Sequence, residues 1–376
     1  MGPKNGCSIP KDMTERQAYV AFNLTDKVGF ATVSELAAEA GSVAEAWARY
    51  PKKVSRSGGD VDWEGEFKLA AKFGVEILTP ADAGYPKRLA SAPGRPLALY
   101  VKGSVEALSA PAIAIVGTRR ATSYGRDVAG RLSFGLAKAG WCVVSGLALG
   151  IDADAHRGAL EADGATVGVI GSGLDQFYPE ENRELAREIA RRGGAVVSEF
   201  PFGRPPDRET FPIRNHVVAA LAHGVVAVEA PLRSGTLITT SIAADLGRTV
   251  MAVPGRVDSR SSAGCLQLIR DGATLVRGVD DVLEAMSELI PKTAPRAGSG
   301  EERAPAVDPE TPPYSVEEAM VMLHVDDDGV SVDELVRQTK LSAERVNAVV
   351  MGLRIKGFLR FLPGNRVAVL RPGRRA

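Results

Sequence analysis

Apolar residues in the middle of the chain alternate between two spacings. Short, nearly continuous apolar runs each end in a turn, and a segment with helical spacing follows; the runs cover 112–116, 141–145, 166–170, 195–199, 225–229 and 250–253. Strands that are apolar on both sides and separated by helices predict a parallel sheet covered on both faces. We therefore expect an α/β fold whose core, over 93–290, is a Rossmann-like, doubly wound parallel sheet. Ligands of such sheets lie beyond the carboxyl ends of the strands.

The segment before this core has helical spacing. Residues 14–50 carry it in two stretches that break near Gly29 and Gly41, and a further helix is expected over 63–73. A Pro-rich stretch then leads into a short strand over 97–101. This pattern predicts a small helical N-terminal domain over 10–92, of SAM or helix-hairpin-helix type. A packing appendage without chemistry of its own is the alternative.

The segment after the core changes character twice. Residues 291–313 contain six prolines and almost no large apolar side chain, which predicts a semi-extended linker. Three helical patterns follow over 316–323, 332–338 and 343–355, and the chain then has a hairpin signal around 363–365. This order predicts a winged helix over 314–372.

Composition is that of an ordinary globular protein. The chain has 376 residues, with 45% hydrophobic and 24% charged, and more than one domain is expected. Lys plus Arg equals Asp plus Glu at 46 each, so attraction to a polyanion requires a local patch. One such patch follows Glu344, after which no acidic residue occurs; its basic residues are Arg345, Arg354, Lys356, Arg360, Arg366, Arg371, Arg374 and Arg375. A basic wing suits duplex DNA or a phosphate track, although winged helices also bind proteins.

The cysteines and the apolar runs indicate the cellular compartment in which the protein is expected. Cys7, Cys142 and Cys265 are too scattered for a disulfide framework and form no C-x-x-C pair for zinc. No apolar run approaches the roughly 18 residues of a membrane helix, and the start has no signal-peptide core. We expect a cytoplasmic protein without a membrane segment.

The first turn of the core is the strongest candidate for a binding site. Gly117, Thr118, Arg119 and Arg120 join a strand to a helix, where backbone N–H groups and the helix dipole favour an anion. The two guanidinium groups add planar forks that suit phosphate. A solvated basic turn is the alternative.

The next turns repeat the glycine pattern without completing a nucleotide motif. Gly146, Gly171 and Gly173 allow a ligand to approach the backbone, but Gln176 stands where G-x-G-x-x-G needs its third glycine. The chain contains no Gly-Lys pair for a P-loop, so neither NAD, ATP nor another cofactor is expected. Tyr178 offers a face for base stacking or, equally, for packing.

Two later turns also open helices. Arg214 and Asn215 fall at the start of one helix, and Ser234, Gly235 and Thr236 open the next. The hydroxyl groups of the second turn can cap the helix, bind phosphate beside its N–H groups, or do both.

Asp152 and His156 lie four residues apart on one predicted helix face, a spacing that allows a shared metal ion. No other His or Cys motif supplies a remote ligand, and Asp152 stands where an N-cap is expected. We expect no metal.

The ordered series of motifs closely resembles the DprA (Smf) family of DNA-processing proteins across the whole core. The series is Gly117-Thr118-Arg119-Arg120, Ser145-Gly146 through Ile151-Asp152 with Ala155-His156, Gly171-Ser172-Gly173 with Tyr178-Pro179, Ser198-Glu199-Phe200-Pro201, Phe211 through Asn215, Ser234-Gly235-Thr236 and Ala252 through Gly255. The flanking domains also look like those of the family.

The resemblance implies a protein without catalysis that binds single-stranded DNA. It would load the RecA recombinase onto that DNA during natural transformation, with single-strand-binding protein as a further partner. It also implies a homodimer joined through the Rossmann-like domain. Carried over by motif, Gly117, Arg119 and Arg120 would contact phosphates; Gly146, Gly171, Gly173 and Tyr178 would shape the pocket, with Arg214 and Asn215 beside it.

The sequence departs from the family pattern at two positions. His216 stands where a further basic residue is common, which would weaken one phosphate contact. Leu266 stands where Asn is frequent, which puts local helix geometry or dimer packing in doubt.

Two other functions remain open. Related Rossmann-like enzymes release bases from nucleoside monophosphates, using a Pro-Gly-Gly-x-Gly-Thr-x-x-Glu turn, but Thr239 occupies the position of the catalytic Glu here. A transcriptional repressor that reads duplex DNA through residues 343–355 is the third class.

Overall fold

The structure, a computed structural model, describes residues 13–25, 27–50, 60–287, 316–326, 329–355, 358–362 and 366–369. These residues belong to two compact units, one within 1–294 and one within 295–376. The predicted linker at 291–313 and the predicted hairpin turn at 363–365 lie outside the described residues. In the part of the chain that is described, no helix is long and apolar enough to cross a membrane.

The described part of the first unit starts with four helices. They are α1 (Glu15–Leu24), α2 (Phe30–Ala40), α3 (Val43–Arg49) and α4 (Trp63–Phe73). A capping box starts α1, because the Thr14 side chain accepts from the Gln17 N–H and the Gln17 side chain accepts from the Thr14 N–H. The ring of Phe22 is fully buried and meets Trp47 edge-on, with centroids 5.0 Å apart. The helical character expected of this segment is confirmed.

A mixed sheet of nine strands forms the core in the described residues. Its elements in chain order are β1 (Glu76–Leu78), α5 (Lys87–Ala90), β2 (Leu99–Gly103), β3 (Ala112–Val116), α6 (Ser123–Lys138), β4 (Cys142–Ser145), α7 (Ile151–Glu161), β5 (Thr166–Val169), α8 (Arg183–Arg191), β6 (Ala195–Ser198), α9 (Thr210–Leu221), β7 (Gly224–Ala227), α10 (Gly235–Asp245), β8 (Thr249–Ala252), α11 (Ala263–Arg270), β9 (Thr274–Leu275) and α12 (Val279–Ala285). The strand order is β1-β2-β6-β5-β4-β3-β7-β8-β9. Strands β3 to β9 run parallel, and β1 and β2 pair antiparallel at one edge.

The direction of winding reverses at β3. From β3 the chain moves outward through β4, β5 and β6, and it then returns to place β7 on the other side of β3. Such a switch point leaves a crevice outside the carboxyl ends of the central strands. The turns that carry the predicted site residues therefore meet at one edge of the sheet.

Both faces of the sheet are covered by helices. One buried cluster joins the sheet to α9 and α10, and another joins it to α6, α7 and α12. Helices α6 and α7 touch closely, since a Cβ on Gly158 of α7 would lie 2.2 Å from the carbonyl oxygen of Gly130 in α6. The doubly wound α/β fold is confirmed.

All six predicted core strands are present, with ends that differ by at most two residues. Two short strands, β1 and β9, lack an apolar run long enough to be recognised. Strand β1 lies inside the segment assigned to the N-terminal domain, yet it pairs with β2 and extends the core sheet. The boundary at 92/93 stays a prediction.

The second unit has the winged-helix order of elements. They are α13 (Val316–Met322), β10 (Val330–Ser331), α14 (Val332–Thr339), α15 (Ala343–Ile355), β11 (Leu359–Leu362) and β12 (Arg366–Val369). The strands form an antiparallel sheet in the order β10-β12-β11. Val321, Leu335, Val346 and Leu353 are fully buried between the helices. The predicted winged helix is confirmed.

Candidate functional site

A small cleft of about 30 Å³ lies at the carboxyl ends of β3, β4 and β5. Its lining residues are Arg119, Gly146, Ala148, Leu149, Gly171, Tyr178, Pro179, Phe211 and Arg214. The structure thus brings together five of the predicted site residues, which come from four separate parts of the chain: Arg119, Gly146, Gly171, Tyr178 and Arg214.

Arg119 and two aromatic rings form one wall of this cleft. The Arg119 guanidinium carbon lies 4.7 Å from the centroid of the Phe211 ring, a cation–π arrangement. The Tyr178 side chain is 48% exposed, and its ring centroid lies 6.2 Å from that of Phe211. A cation and an accessible aromatic face therefore stand side by side.

Phe211 was not among the predicted site residues. Its signal in the sequence was its spacing, because Phe211 and Arg214 lie three residues apart on α9 and share a helix face. The contact between Phe211 and Tyr178 could not be predicted in this way, because it depends on how α9 lies against the turn that follows β5.

Arg119 and Arg120 are both exposed. Among the described residues, no carboxylate forms an ion pair with either guanidinium group. Elsewhere on this surface arginines have a carboxylate partner, since Arg126 and Arg157 both pair with Asp154. The first turn therefore keeps two charges available for a ligand.

The N-terminus of α6 is occupied by a carboxylate of the protein itself. The N–H and hydroxyl groups of Thr122 donate to the buried Glu229 at 2.9 and 2.6 Å, and the Gly125 N–H donates to the Thr122 hydroxyl. Thr118 is also engaged locally, because its hydroxyl accepts from the Arg120 N–H. The helix end is therefore already occupied, and the exposed Arg119 and Arg120 side chains are the charged groups of this turn that face solvent.

Two of the predicted glycines serve close packing. A Cβ on Gly117 would lie 2.4 Å from the Ile151 side chain, and one on Gly173 would lie 2.5 Å from the Pro201 carbonyl oxygen. Neither glycine lines the cleft, whereas Gly146 and Gly171 do. Glycine at 117 and 173 lets the turns approach neighbouring segments of the protein.

The turn Ser234-Gly235-Thr236 follows β7, the strand beside β3, and does not line the cleft. Ser234 occupies the N-cap position of α10, but its side chain makes no capping hydrogen bond. Its Oγ is buried and has no partner within the described residues. The capping alternative is therefore not observed for Ser234. Asn215, partly buried on α9, also lies outside the cleft lining.

Asp152 and Arg214 are both buried, at 6% and 5% exposure, and Arg214 belongs to the cleft lining. Burial raises the pKa of Asp152, and the positive charge of Arg214 acts in the opposite direction. The N-cap of α7 is Gly150, so Asp152 is the second helical residue, contrary to the capping position expected from the sequence.

His156 is fully buried and hydrogen-bonded inside the core. The Thr166 hydroxyl donates its proton to the Val143 carbonyl, so His156 donates from Nδ1 to the Thr166 oxygen at 2.7 Å. Burial lowers the pKa of His156 to about 3, so the ring is neutral at pH 7. The described residues contain no cluster of three His, Cys, Asp or Glu side chains that could hold a metal ion.

Acid should destabilise the protein through His156. The pKa of His156 is about 3 in the folded protein and 6.5 in the unfolded chain. The stability that the neutral, buried ring contributes is therefore fully present above pH 6.5 and is lost as the pH falls towards 3. At pH 5.5 we expect a loss of about 1.4 kcal/mol in unfolding free energy. Denaturant titrations of wild type and His156→Gln at pH 8 and 5.5 test this. An equal pH dependence in both proteins would contradict it.

His216 and Leu266, the two residues that depart from the family pattern, lie on different helices. His216 is partly buried on α9, and burial lowers its pKa, so it supplies no charge at neutral pH. Leu266 is partly buried on α11. The effects expected of these residues on phosphate binding and dimer packing stay predictions.

Family models match most of both units. Residues 76–287 match the model described as DNA recombination-mediator protein A, and residues 303–365 match the DprA winged helix domain. Protein Smf of Synechocystis is 34% identical over 321 residues, which cover 77% of this chain and 79% of that protein. The DNA processing protein DprA of Streptococcus pneumoniae is 41% identical over 224 residues, covering 60% and 77% of the two chains.

Two solved structures share the fold. The X-ray structure of DNA processing protein A from Streptococcus pneumoniae superimposes with a TM-score of 0.60 at 32% identity, covering 72% of this chain and 98% of that one. A structure of DNA processing protein A from Helicobacter pylori, described for its unique single-stranded DNA binding mode, gives a TM-score of 0.52 at 29% identity. It covers 58% of this chain and 97% of that one.

Proposed function

Because the chain belongs to the DprA family of DNA recombination mediators, we propose that it binds single-stranded DNA and loads a RecA recombinase onto it. The observation that carries the proposal is the cleft at the switch point, where Arg119, which has no ion-pair partner among the described residues, stands beside the rings of Phe211 and Tyr178. Guanidinium groups suit phosphates, and exposed aromatic rings suit unpaired bases. The solved Helicobacter pylori relative, described as binding single-stranded DNA, supports this assignment.

In this proposal the first turn holds the DNA backbone. Arg119 and Arg120 bind successive phosphates, with Gly117 and Thr118 shaping the turn that carries them. Tyr178 stacks on a base, and the turn of Ser234, Gly235 and Thr236 extends the phosphate track beyond the cleft towards β7. Asn215 lies beside this track on α9.

The protein acts without catalysis in this proposal. The residues that line the cleft offer no carboxylate, thiol or imidazole as a nucleophile or general base. At the position of the enzyme carboxylate, the hydroxyl of buried Thr239 donates to the Gly235 carbonyl. Release of free base from a nucleoside monophosphate by the purified protein would favour the enzyme alternative instead.

A homodimer joined through the Rossmann-like domain completes the proposal. Leu232 and Ile238, near the start of α10, are 61% and 46% exposed and suit an interface between two copies. Removing such apolar side chains from water favours association.

The experiment that tests loading is strand exchange by RecA of the same host on DNA coated with single-strand-binding protein. We expect this chain to stimulate exchange on coated DNA and to have little effect on naked DNA. A protein that binds the DNA without stimulating exchange would refute the loading role and leave the binding role intact.

Replacing Tyr178 with alanine should weaken single-strand binding by about 1 kcal/mol, roughly fivefold, because a stacking face is lost. Tyr178→Phe is the matched control, since it keeps the ring and removes only the hydroxyl. Fluorescence anisotropy with a labelled oligonucleotide measures both. If Tyr178→Ala binds as tightly as Tyr178→Phe, the ring only packs against its neighbours.

A further inference from the structure

The turn that follows β4 has an unfavourable backbone. Leu147 has a φ of +53° and is fully buried. In that left-handed region the Cβ of an L-residue crowds its own backbone, and leucine rarely adopts it. The packing is also tight, because a Cβ on Gly168 would lie 2.3 Å from the Leu147 side chain. The surroundings must hold this turn in place.

Three side chains hold it. Arg214 donates from Nη1 to the Gly146 carbonyl and, at 2.8 Å, to the Val169 carbonyl at the end of β5. Asn182 donates to the Leu147 carbonyl at 2.9 Å. Asp152 accepts from the Ala148 N–H at 3.4 Å. One nitrogen of Arg214 thus joins the turns after β4 and β5, which form two walls of the cleft.

Gly146 fits between the two buried charges. A Cβ at this position would lie 1.9 Å from Nη1 of Arg214 and 2.7 Å from a carboxylate oxygen of Asp152. The guanidinium group therefore occupies the space that a side chain at position 146 would need. The glycine at 146 serves the placement of Arg214.

Arg214 is poorly placed to bind a phosphate itself. It is 5% exposed, and its Nε is buried with no hydrogen-bond partner among the described residues. Its Nη1 is directed at two backbone carbonyls, whereas Arg119 is exposed and forms no ion pair within the described part of the chain. We propose that Arg214, whose charge is balanced by Asp152, is a positioning residue. It sets the distance between two cleft walls and makes no contact with DNA.

This proposal rests on the proposed binding of single-stranded DNA at the cleft. A direct phosphate contact and a positioning role differ in their salt dependence. Affinity falls as salt rises, and each phosphate that a protein neutralises on a single strand makes the plot of log affinity against log salt concentration steeper by about 0.7. Loss of a contact lowers both affinity and slope, whereas loss of positioning lowers affinity and leaves the slope unchanged if all phosphate contacts survive.

The test compares Arg214→Met, Asp152→Asn and Arg119→Ala with wild type by titrating a labelled oligonucleotide at several salt concentrations. Arg187→Met is the matched control, because Arg187 lies on α8 and pairs with Glu184. We expect Arg214→Met to bind at least tenfold more weakly with the wild-type slope. Arg119→Ala should lose about 0.7 in slope.

The direction in which Asp152→Asn changes the affinity also separates the two roles. This variant decides the question if Arg214→Met does not fold. A positioning role predicts weaker binding, because the buried guanidinium group of Arg214 loses the negative charge that balances it. A phosphate-binding role predicts tighter binding, since a competing carboxylate is gone. Tighter binding, or a reduced slope in Arg214→Met, overturns the proposal. If Arg119→Ala keeps the affinity and slope of wild type, the proposed DNA site itself is wrong.

Discussion

Replacing Arg119 and Arg120 together with alanine should weaken binding to single-stranded DNA by about 3 kcal/mol, or roughly 150-fold. Both guanidinium groups are exposed and unpaired in the described residues, so each is free to form charge-assisted hydrogen bonds with a phosphate. The N-terminus of α6 cannot replace them, because Glu229 already accepts from Thr122 there. Filter binding or anisotropy at fixed salt measures the loss.

A second pair of arginines provides the control. Arg183 and Arg187 are partly or fully exposed on α8 and form ion pairs with Glu180 and Glu184. Their replacement by alanine removes the same total charge, and we expect affinity to stay within twofold of wild type. Equal losses in the two double variants would indicate a general effect of charge and would count against the proposed site.

Replacing Gly158 with leucine should destabilise the first unit by about 3 kcal/mol. A Cβ at this position would lie 2.2 Å from the Gly130 carbonyl oxygen, so a larger side chain must push α7 away from α6. Both helices pack on the sheet through one buried cluster, and their separation would open it. Binding to DNA should fall as well, because α7 follows directly on the turn that contains Gly146.

Gly130 offers the matched control on the opposite helix. A Cβ there would meet no atom closer than the Asp154 carbonyl oxygen at 4.0 Å. Gly130→Ala should therefore keep or raise stability, by up to about 1 kcal/mol from helix propensity. Denaturant unfolding followed by circular dichroism compares the variants. If Gly158→Leu unfolds at the same denaturant concentration as Gly130→Ala, the helices are not in close contact.

Local patterns predicted much of the fold. The helix over 63–73 was correct to the residue, because Asp62 caps its start and Gly74 ends it in the left-handed conformation. The core strands were clear because they are apolar on both faces. Strands β1 and β9 have three and two residues, too few to display a period, and their pairing depends on neighbours distant in sequence.

The candidate site was predictable in its position and not in its internal contacts. Turns after parallel strands meet at one edge, which explains why Arg119, Gly171 and Tyr178 line the same cleft. The contact between Thr122 and Glu229 joins residues 107 positions apart, and that between Arg214 and Gly146 spans 68. No local spacing reveals such pairs. The sequence therefore placed Arg214 beside the pocket without showing that its side chain is buried.

The unfavourable backbone at Leu147 also bears on how this protein can evolve. Glycine at 147 would relieve the backbone but leave a cavity, while a larger residue at 168 would clash with the leucine that is present. We therefore expect each single substitution to destabilise the protein and the two together to compensate for one another. Among related sequences, positions 147 and 168 should covary, and intermediates that carry only one of the changes should be rare.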